Sequence, residues 1–155
     1  MKAELTDMIL ERLRILNVPF KELTHAPVTT SADAAQVRGV DLSSGAKALL
    51  VKAGDNFSVF VIPGDRKLDW KAVKRELGNK SARFASSEEM MDVTGLVKGS
   101  LPPFGNLLGL NVYVDSDVLS QELIRFNAGS LTHSIEMPGN RILEAVDGTA
   151  GWYAS

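Results

Sequence analysis

Cysteine is absent from the 155 residues, which excludes disulfides, thiolate metal sites and a cysteine nucleophile. Only two histidines occur, His25 and His133, so a zinc site would need carboxylates to complete it, and no metal-ligand spacing is present. Aromatic residues make up 6% of the chain and are scattered, too few to suggest base-stacking platforms. An excess of positive charge is also missing. The formal net charge of −2 argues against broad phosphate neutralisation, though not against a protein that grips only the end of a nucleic acid in a small pocket. No apolar run approaches bilayer-spanning length, and Met1-Lys-Ala-Glu-Leu-Thr-Asp7 reads as the start of an amphipathic helix with acidic residues, not a signal peptide, so a cytoplasmic address is expected. Neither GxGxxG nor GxxxxGK[ST] occurs, and dinucleotide and P-loop readings fail. Ser100, Ser130 and Ser134 lie outside any G-x-S-x-G elbow, with no acid placed to orient a histidine, which counts against a hydrolase triad.

What is present is an ordinary globular balance, 45% apolar and 23% charged. One domain over residues 1–155 is expected, burying roughly two-thirds of its unfolded surface. Leu5, Met8, Ile9, Leu13 and Leu16 recur at helical spacing and predict a helix over 3–16, followed by a short strand at Phe20–Leu23. Thr30 and Asp33 have capping-box spacing, with Gly39 as a natural helix terminator. Ala46–Lys52 and Phe57–Ile62 flank Gly54-Asp-Asn56 and read as a hairpin. Asp69 can cap a helix through Leu77, closed by Gly78; Arg83-Phe-Ala85 is a short strand; Ser86 with Glu89 caps a helix ending at Gly95. Asn111–Asp115, Leu123–Asn127 and Leu131–Met137 read as strands, and Pro138 sits in the first turn of a last helix. Thr149–Ser155 has no pattern. Hairpin-linked strands broken by short helices predict an α+β domain around a mixed, largely antiparallel sheet.

Two glycine-punctuated segments stand out as candidate site walls. The first runs Gly99, Ser100, Leu101, Pro102, Pro103, Phe104, Gly105; the second contains Ala128, Gly129 and Ser130. Prolines fix φ while glycines allow conformations and close approaches that other residues avoid, so the first is a pre-shaped loop or an ordinary Pro/Gly connector. Lys47 opens an otherwise apolar strand, where a lysine either binds an anion or stabilises charge, or snorkels to water. His133 can orient a ligand, act as a base or make a structural hydrogen bond, and His25 can brace the second helix. Lys67, Lys71, Lys74, Arg75, Lys80 and Arg83 are either a solvated face or a phosphate-binding patch.

Together these pieces resemble the YbaK / prolyl-tRNA synthetase-associated family of aminoacyl-tRNA editing domains, from about Phe20 to about Gly148. The resemblance is carried in order by His25-x-Pro27, Thr30-Ser-Ala-Asp-Ala-Ala35, Ala46-Lys-Ala-Leu-Leu-Val51 and Val61-Ile-Pro-Gly-Asp65. Ala85-Ser-Ser-Glu-Glu-Met90 before Thr94-Gly95, the Gly99–Gly105 loop, Val112-Tyr-Val-Asp115, Phe126-Asn-Ala-Gly129 and His133-Ser-Ile135 continue it. It implies a compact α+β domain with a curved, barrel-like sheet and helices outside. It implies hydrolysis of the ester joining a wrong amino acid to the 3′ end of tRNA, often by free-standing proteins acting in trans, with assistance from the tRNA ribose hydroxyl. The family's strand lysine falls on Lys47 and its glycine-proline loop on Gly99–Gly105; Gly129 and His133 match the strand that closes the pocket. The implied partners are the acceptor end of a mischarged tRNA, with tRNA for proline carrying Ala, Cys, Ser or Thr as the family context, and prolyl-tRNA synthetase. No cofactor, metal or membrane is implied. A non-catalytic module binding tRNA ends or a synthetase is the alternative, and a small-molecule esterase a further one.

Overall fold

The structure, a computed structural model, describes residues 2–26 and 44–155. The capping box expected at Thr30 and Asp33, its helix and Gly39 lie outside the described residues, as do Pro27 and the Thr30-Ser-Ala-Asp-Ala-Ala35 motif. Helix α1 (Lys2–Ile15) turns Leu5, Ile9, Leu10 and Leu13 inward. Met8, expected on that face, is 45% exposed and Leu10 takes the inward place. Strand β1 (Lys21–Thr24) follows, and β2 (Ala46–Ala53) and β3 (Asn56–Pro63) form the expected hairpin, in register from Ala46↔Pro63 to Ala53↔Asn56. Gly54 makes its turn at φ 61°, a conformation glycine adopts without a Cβ penalty.

Helix α2 (Trp70–Leu77) is capped by Asp69, whose carboxylate accepts from Lys71 and Ala72 N–H. Strand β4 (Arg83–Phe84) leads into α3 (Ser87–Thr94), where Ser86 and Glu89 complete the capping box. Strand β5 (Asn111–Asp115) runs into a short helix α4 (Ser116–Leu119) capped by Asp115, which the residue pattern did not announce. Strands β6 (Leu123–Asn127) and β7 (His133–Pro138) pair antiparallel. Pro138 ends β7 instead of opening a helix, and a 3-10 turn precedes the four-residue α5 (Ile142–Ala145). The unpatterned tail forms β8 (Thr149–Gly151), parallel to β5.

The strands make a three-stranded sheet, β1-β7-β6, and a five-stranded sheet, β4-β2-β3-β5-β8. Antiparallel ladders predominate, with β3–β5 and β5–β8 parallel. Successive residues face opposite sides of a strand, so the larger sheet is buried on both. Leu50, Val59, Val61, Val112 and Val114 pack with α1 and with Ile124, Phe126, Ile135 and Met137 of the smaller sheet. Val51, Phe60 and Ile62 pack on the other side with Val73 and Tyr153. A parallel bridge, Gly45↔Arg125, links the two sheets, whose facing residues share the first core. Among the described residues no helix is long and apolar enough to cross a membrane.

Candidate active site

Where the two sheets meet at Gly45 and Arg125, a cavity of about 520 Å³ opens. Its floor is β2 from Ala46 to Leu50; its walls are Lys98, Gly99 and Leu101, the β6 residues Arg125, Phe126 and Asn127, and Phe84 to Ser87 with Met90. The lining is mostly apolar with a few polar groups at the edge, as ligand pockets are.

Lys47 is part of this lining, half-buried at the open end of β2. Its Nζ donates to Gly64 O at 3.4 Å, and Gly64 N–H in turn donates to Gly45 O at 2.7 Å. Burial pushes the Lys47 pKa down; Asp65 opposes this and Lys67 adds to it. No carboxylate is within salt-bridge distance of Lys47 among the described ion pairs, so its charge is available to an anionic or carbonyl ligand.

The proline-glycine loop contributes its first part. Gly99, at φ 91°, and Leu101 line the cavity beside Lys47. Ser100 is fully buried, its hydroxyl donating to Val97 O at 2.8 Å, an anchor and not a nucleophile. Pro102, Pro103, Phe104 and Gly105 are buried but outside the lining. Phe104 packs on Phe126 with ring centroids 5.6 Å apart, and a Cβ at Gly105 would lie 2.7 Å from Val59 Cγ2, so these residues support the wall from behind.

The second glycine segment stands apart. A Cβ at Gly129 would meet Leu5 of α1 at 3.3 Å, so this glycine faces the helix and not the cavity. Ala128 is fully buried, its carbonyl accepting from Thr6 Oγ1 at 2.6 Å, and Ser130 shares a hydrogen bond with Thr132 at 3.0 Å. His133 also lies outside the lining; its Nε2 sits 3.1 Å from Glu22 Oε1, out of hydrogen-bond alignment. His25 donates from Nδ1 to Ala26 O at 2.8 Å, and its Nε2 shares a hydrogen bond with Ser134 Oγ at 2.6 Å. It ties the end of β1 to β7.

Asn127 was not singled out by residue pattern, yet it is the side chain that connects the walls. Its Nδ2 donates to Gly99 O and holds the loop's first peptide against β6. Arg125 is held by Glu136 at 2.9 Å, its side chain 15% exposed. Nothing in the spacing of Asn127 from Gly99 signals this contact; only the position of Asn127 within the Phe126-Asn-Ala-Gly129 motif pointed near it. Among the described residues no group of three or more His, Asp or Glu side chains is placed to hold a metal ion.

The model of the aminoacyl-tRNA editing domain matches residues 25–145. The chain belongs to this family. Among curated editing-domain relatives, the multifunctional Ser/Thr-tRNA deacylase ProXp-y of Escherichia coli is 31% identical over 121 residues, 75% of this chain and 72% of that protein. Proline--tRNA ligase of Thermosipho melanesiensis is 34% identical over 86 residues, covering 55% of this chain but 15% of the ligase. The editing-domain fold recurs in the crystal structure of hypothetical protein APE2540, at TM-score 0.87 and 25% identity over 95% of this chain and 99% of that one. A candidate trans-editing enzyme for prolyl tRNA synthetase superposes at TM-score 0.84, 23% identity, over 99% of this chain and 97% of its own.

Proposed function

We propose that this chain is an aminoacyl-tRNA deacylase working as one editing domain, which hydrolyses the ester of a mischarged tRNA in trans. The observation that carries the reading is the convergence of Lys47, Gly99 and Leu101 on one cavity within an editing-domain fold. The 31% identity to a Ser/Thr-tRNA deacylase across most of both chains supports it. The substrates considered are tRNA for proline bearing Ala, Cys, Ser or Thr, and prolyl-tRNA synthetase is the partner whose errors would be removed.

An aminoacyl ester is already activated, so positioning and electrostatics suffice without a protein nucleophile. Water attacks the carbonyl carbon, the bond to the ribose oxygen breaks, and that oxygen leaves with a proton as the 3′ hydroxyl. The Lys47 ammonium draws the phosphate or carbonyl region into place, and backbone N–H groups of the Gly99 segment face the developing oxyanion. The apolar floor accepts a small side chain. Such a second sieve is needed because a hydrophobic pocket rejects a slightly smaller amino acid by only about 1–3 kcal/mol.

A panel of mischarged tRNAs incubated with the protein tests this directly by release of free amino acid. Lys47→Ala is expected to lower the rate on the best substrate about 10²–10³-fold, the loss typical of one electrostatic stabiliser. Near-normal turnover by that variant would overturn the assignment of Lys47. Tight binding of the tRNA end with no release would favour a binding module instead.

A further inference from the structure

Aromatic residues dispersed along the chain are brought together at the cavity mouth. Phe84, on the short edge strand β4, lines the cavity yet remains 48% exposed. Trp70, the first residue of α2, contacts it edge to face, ring centroids 4.9 Å apart and planes at 81°. This contact braces the Phe84 ring while leaving about half of that residue in water. Phe60, Phe104 and Phe126 are buried in the cores, and Trp152, at 69% the more exposed ring, is not part of the cavity lining, so Phe84 combines exposure with a place beside the cavity.

The surroundings are cationic. Arg83 precedes the ring and donates to Glu89 Oε1 at 2.8 Å and Oε2 at 3.0 Å, and Lys52 reaches the same carboxylate at 3.1 Å. Two cations share the Glu89 carboxylate, and Glu88 is the other acidic residue in the first turn of α3. Lys74 lies one turn beyond Trp70 on the same face of α2, and Lys98 lines the cavity. A flat π-face flanked by positive charge fits a nucleobase with its phosphate.

We propose that Phe84, braced by Trp70, is the stacking platform for the terminal nucleobase of the RNA end whose aminoacyl group enters the cavity. The proposal rests on the deacylase reading for the identity of the RNA, and it adds a base-binding subsite at the mouth of the cavity. Lys47 and Gly99 then hold the ester while Phe84 holds the base, so the ribose spans the rim between them.

The chain has two tryptophans, so Trp152→Phe leaves Trp70 as the sole indole reporter. In that background the ribotrinucleotide CCA should change Trp70 emission on titration. Affinity, followed in parallel by anisotropy of a labelled CCA, should fall about 5- to 150-fold in Phe84→Ala, the range of a single base stack. Phe84→Leu, which keeps an apolar side chain on the edge strand, should lose nearly as much, and Phe84→Trp should bind near normally. A CCA analogue with an abasic terminal ribose should bind the wild type as weakly as CCA binds Phe84→Ala, and should lose nothing more in that variant. In deacylation the same variant should raise KM with kcat little changed. Unchanged CCA affinity in Phe84→Ala, or penalties that add in full between that variant and the abasic analogue, would overturn the platform. Absence of deacylation by a wild type that still binds CCA through Phe84 would overturn the deacylase reading and leave the platform standing.

Discussion

A half-buried lysine and a half-buried asparagine do different work in this cavity, and each leaves a different experimental trace. Burial lowers the Lys47 pKa, so the folded state disfavours its charged form relative to the unfolded chain. The folded chain releases its proton first as pH rises. Folding stability therefore climbs between the depressed folded value and the ordinary lysine value of 10.5, and the burial cost is greatest below that window. Lys47→Met removes the cost, so it should unfold at the same temperature as wild type or higher at neutral pH, and lack that alkaline rise, while losing activity. Thermal melts at neutral and alkaline pH check this. Asn127 acts through Gly99 and is a positioning residue. Asn127→Ala frees the Gly99 peptide and should lower kcat roughly 10- to 100-fold, as small misplacements of a reacting group do, with KM largely retained. A fall in Tm without that kcat loss would make the bond merely structural.

At the scale of elements, α3 matters because Ser86 and Ser87 at its start form one wall of the cavity. Glu89 fixes that start: its carboxylate takes Arg83, then the Ser86 N–H, then Lys52, and these partners hold its pKa well below the usual carboxylate range. A depressed carboxylate pKa stabilises the fold above the unfolded value of about 4.5 and loses that contribution as pH falls toward the folded one. Glu89→Gln keeps an acceptor for Ser86 and removes the charge. It should be less stable than wild type at neutral pH, and the gap should close as both are acidified below pH 4.5. A gap constant with pH, read from urea midpoints, would show that packing, not the ion pair, matters there. The proline-glycine loop divides in the same manner: Gly99 and Leu101 face the cavity, while Phe104 and Gly105 hold the loop down on Phe126 and Val59.

For the whole molecule, Tyr153 anchors the second core of the five-stranded sheet and lies outside the cavity lining. Tyr153 is 3% exposed there, against Phe60 and Tyr113, with its hydroxyl donating to Glu76 Oε1 at 2.5 Å. Burial, with Glu76 adding to it, drives its pKa upward, so it is un-ionised at neutral pH. Asp115, 1% exposed, accepts from Tyr153 N at 2.8 Å and Ala154 N at 3.0 Å and pins the tail beside β5. Tyr153→Ala should destabilise by about 3–5 kcal/mol, as large aromatic-to-alanine changes in cores do. Activity per folded molecule, measured well below its melting point, should be retained, because Tyr153 lies outside the cavity lining and, among the described lining residues, only Leu49 packs against its cluster.

What the sequence determined by itself is mostly local. The hairpin at Gly54, the caps at Asp69 and Ser86, the terminators Gly78 and Gly95 and the first helix follow from interactions among residues close along the chain, and they stand where the pattern put them. Lys47 and Gly99 were legible as site candidates because a lysine in an apolar strand and a glycine before two prolines are chemically conspicuous wherever they occur. Gly129 and His133 were conspicuous too, but conspicuousness says nothing of direction. A helix packs over Gly129, and β1 places Glu22 beside His133. Only the tertiary structure decided which glycine faces a cavity, that an unpatterned tail becomes a strand, that Asn127 reaches Gly99, and that Trp70 and Phe84 meet. Each depends on contacts between residues distant in sequence, whose closure is favoured only once the two cores have formed, so no local spacing encodes them.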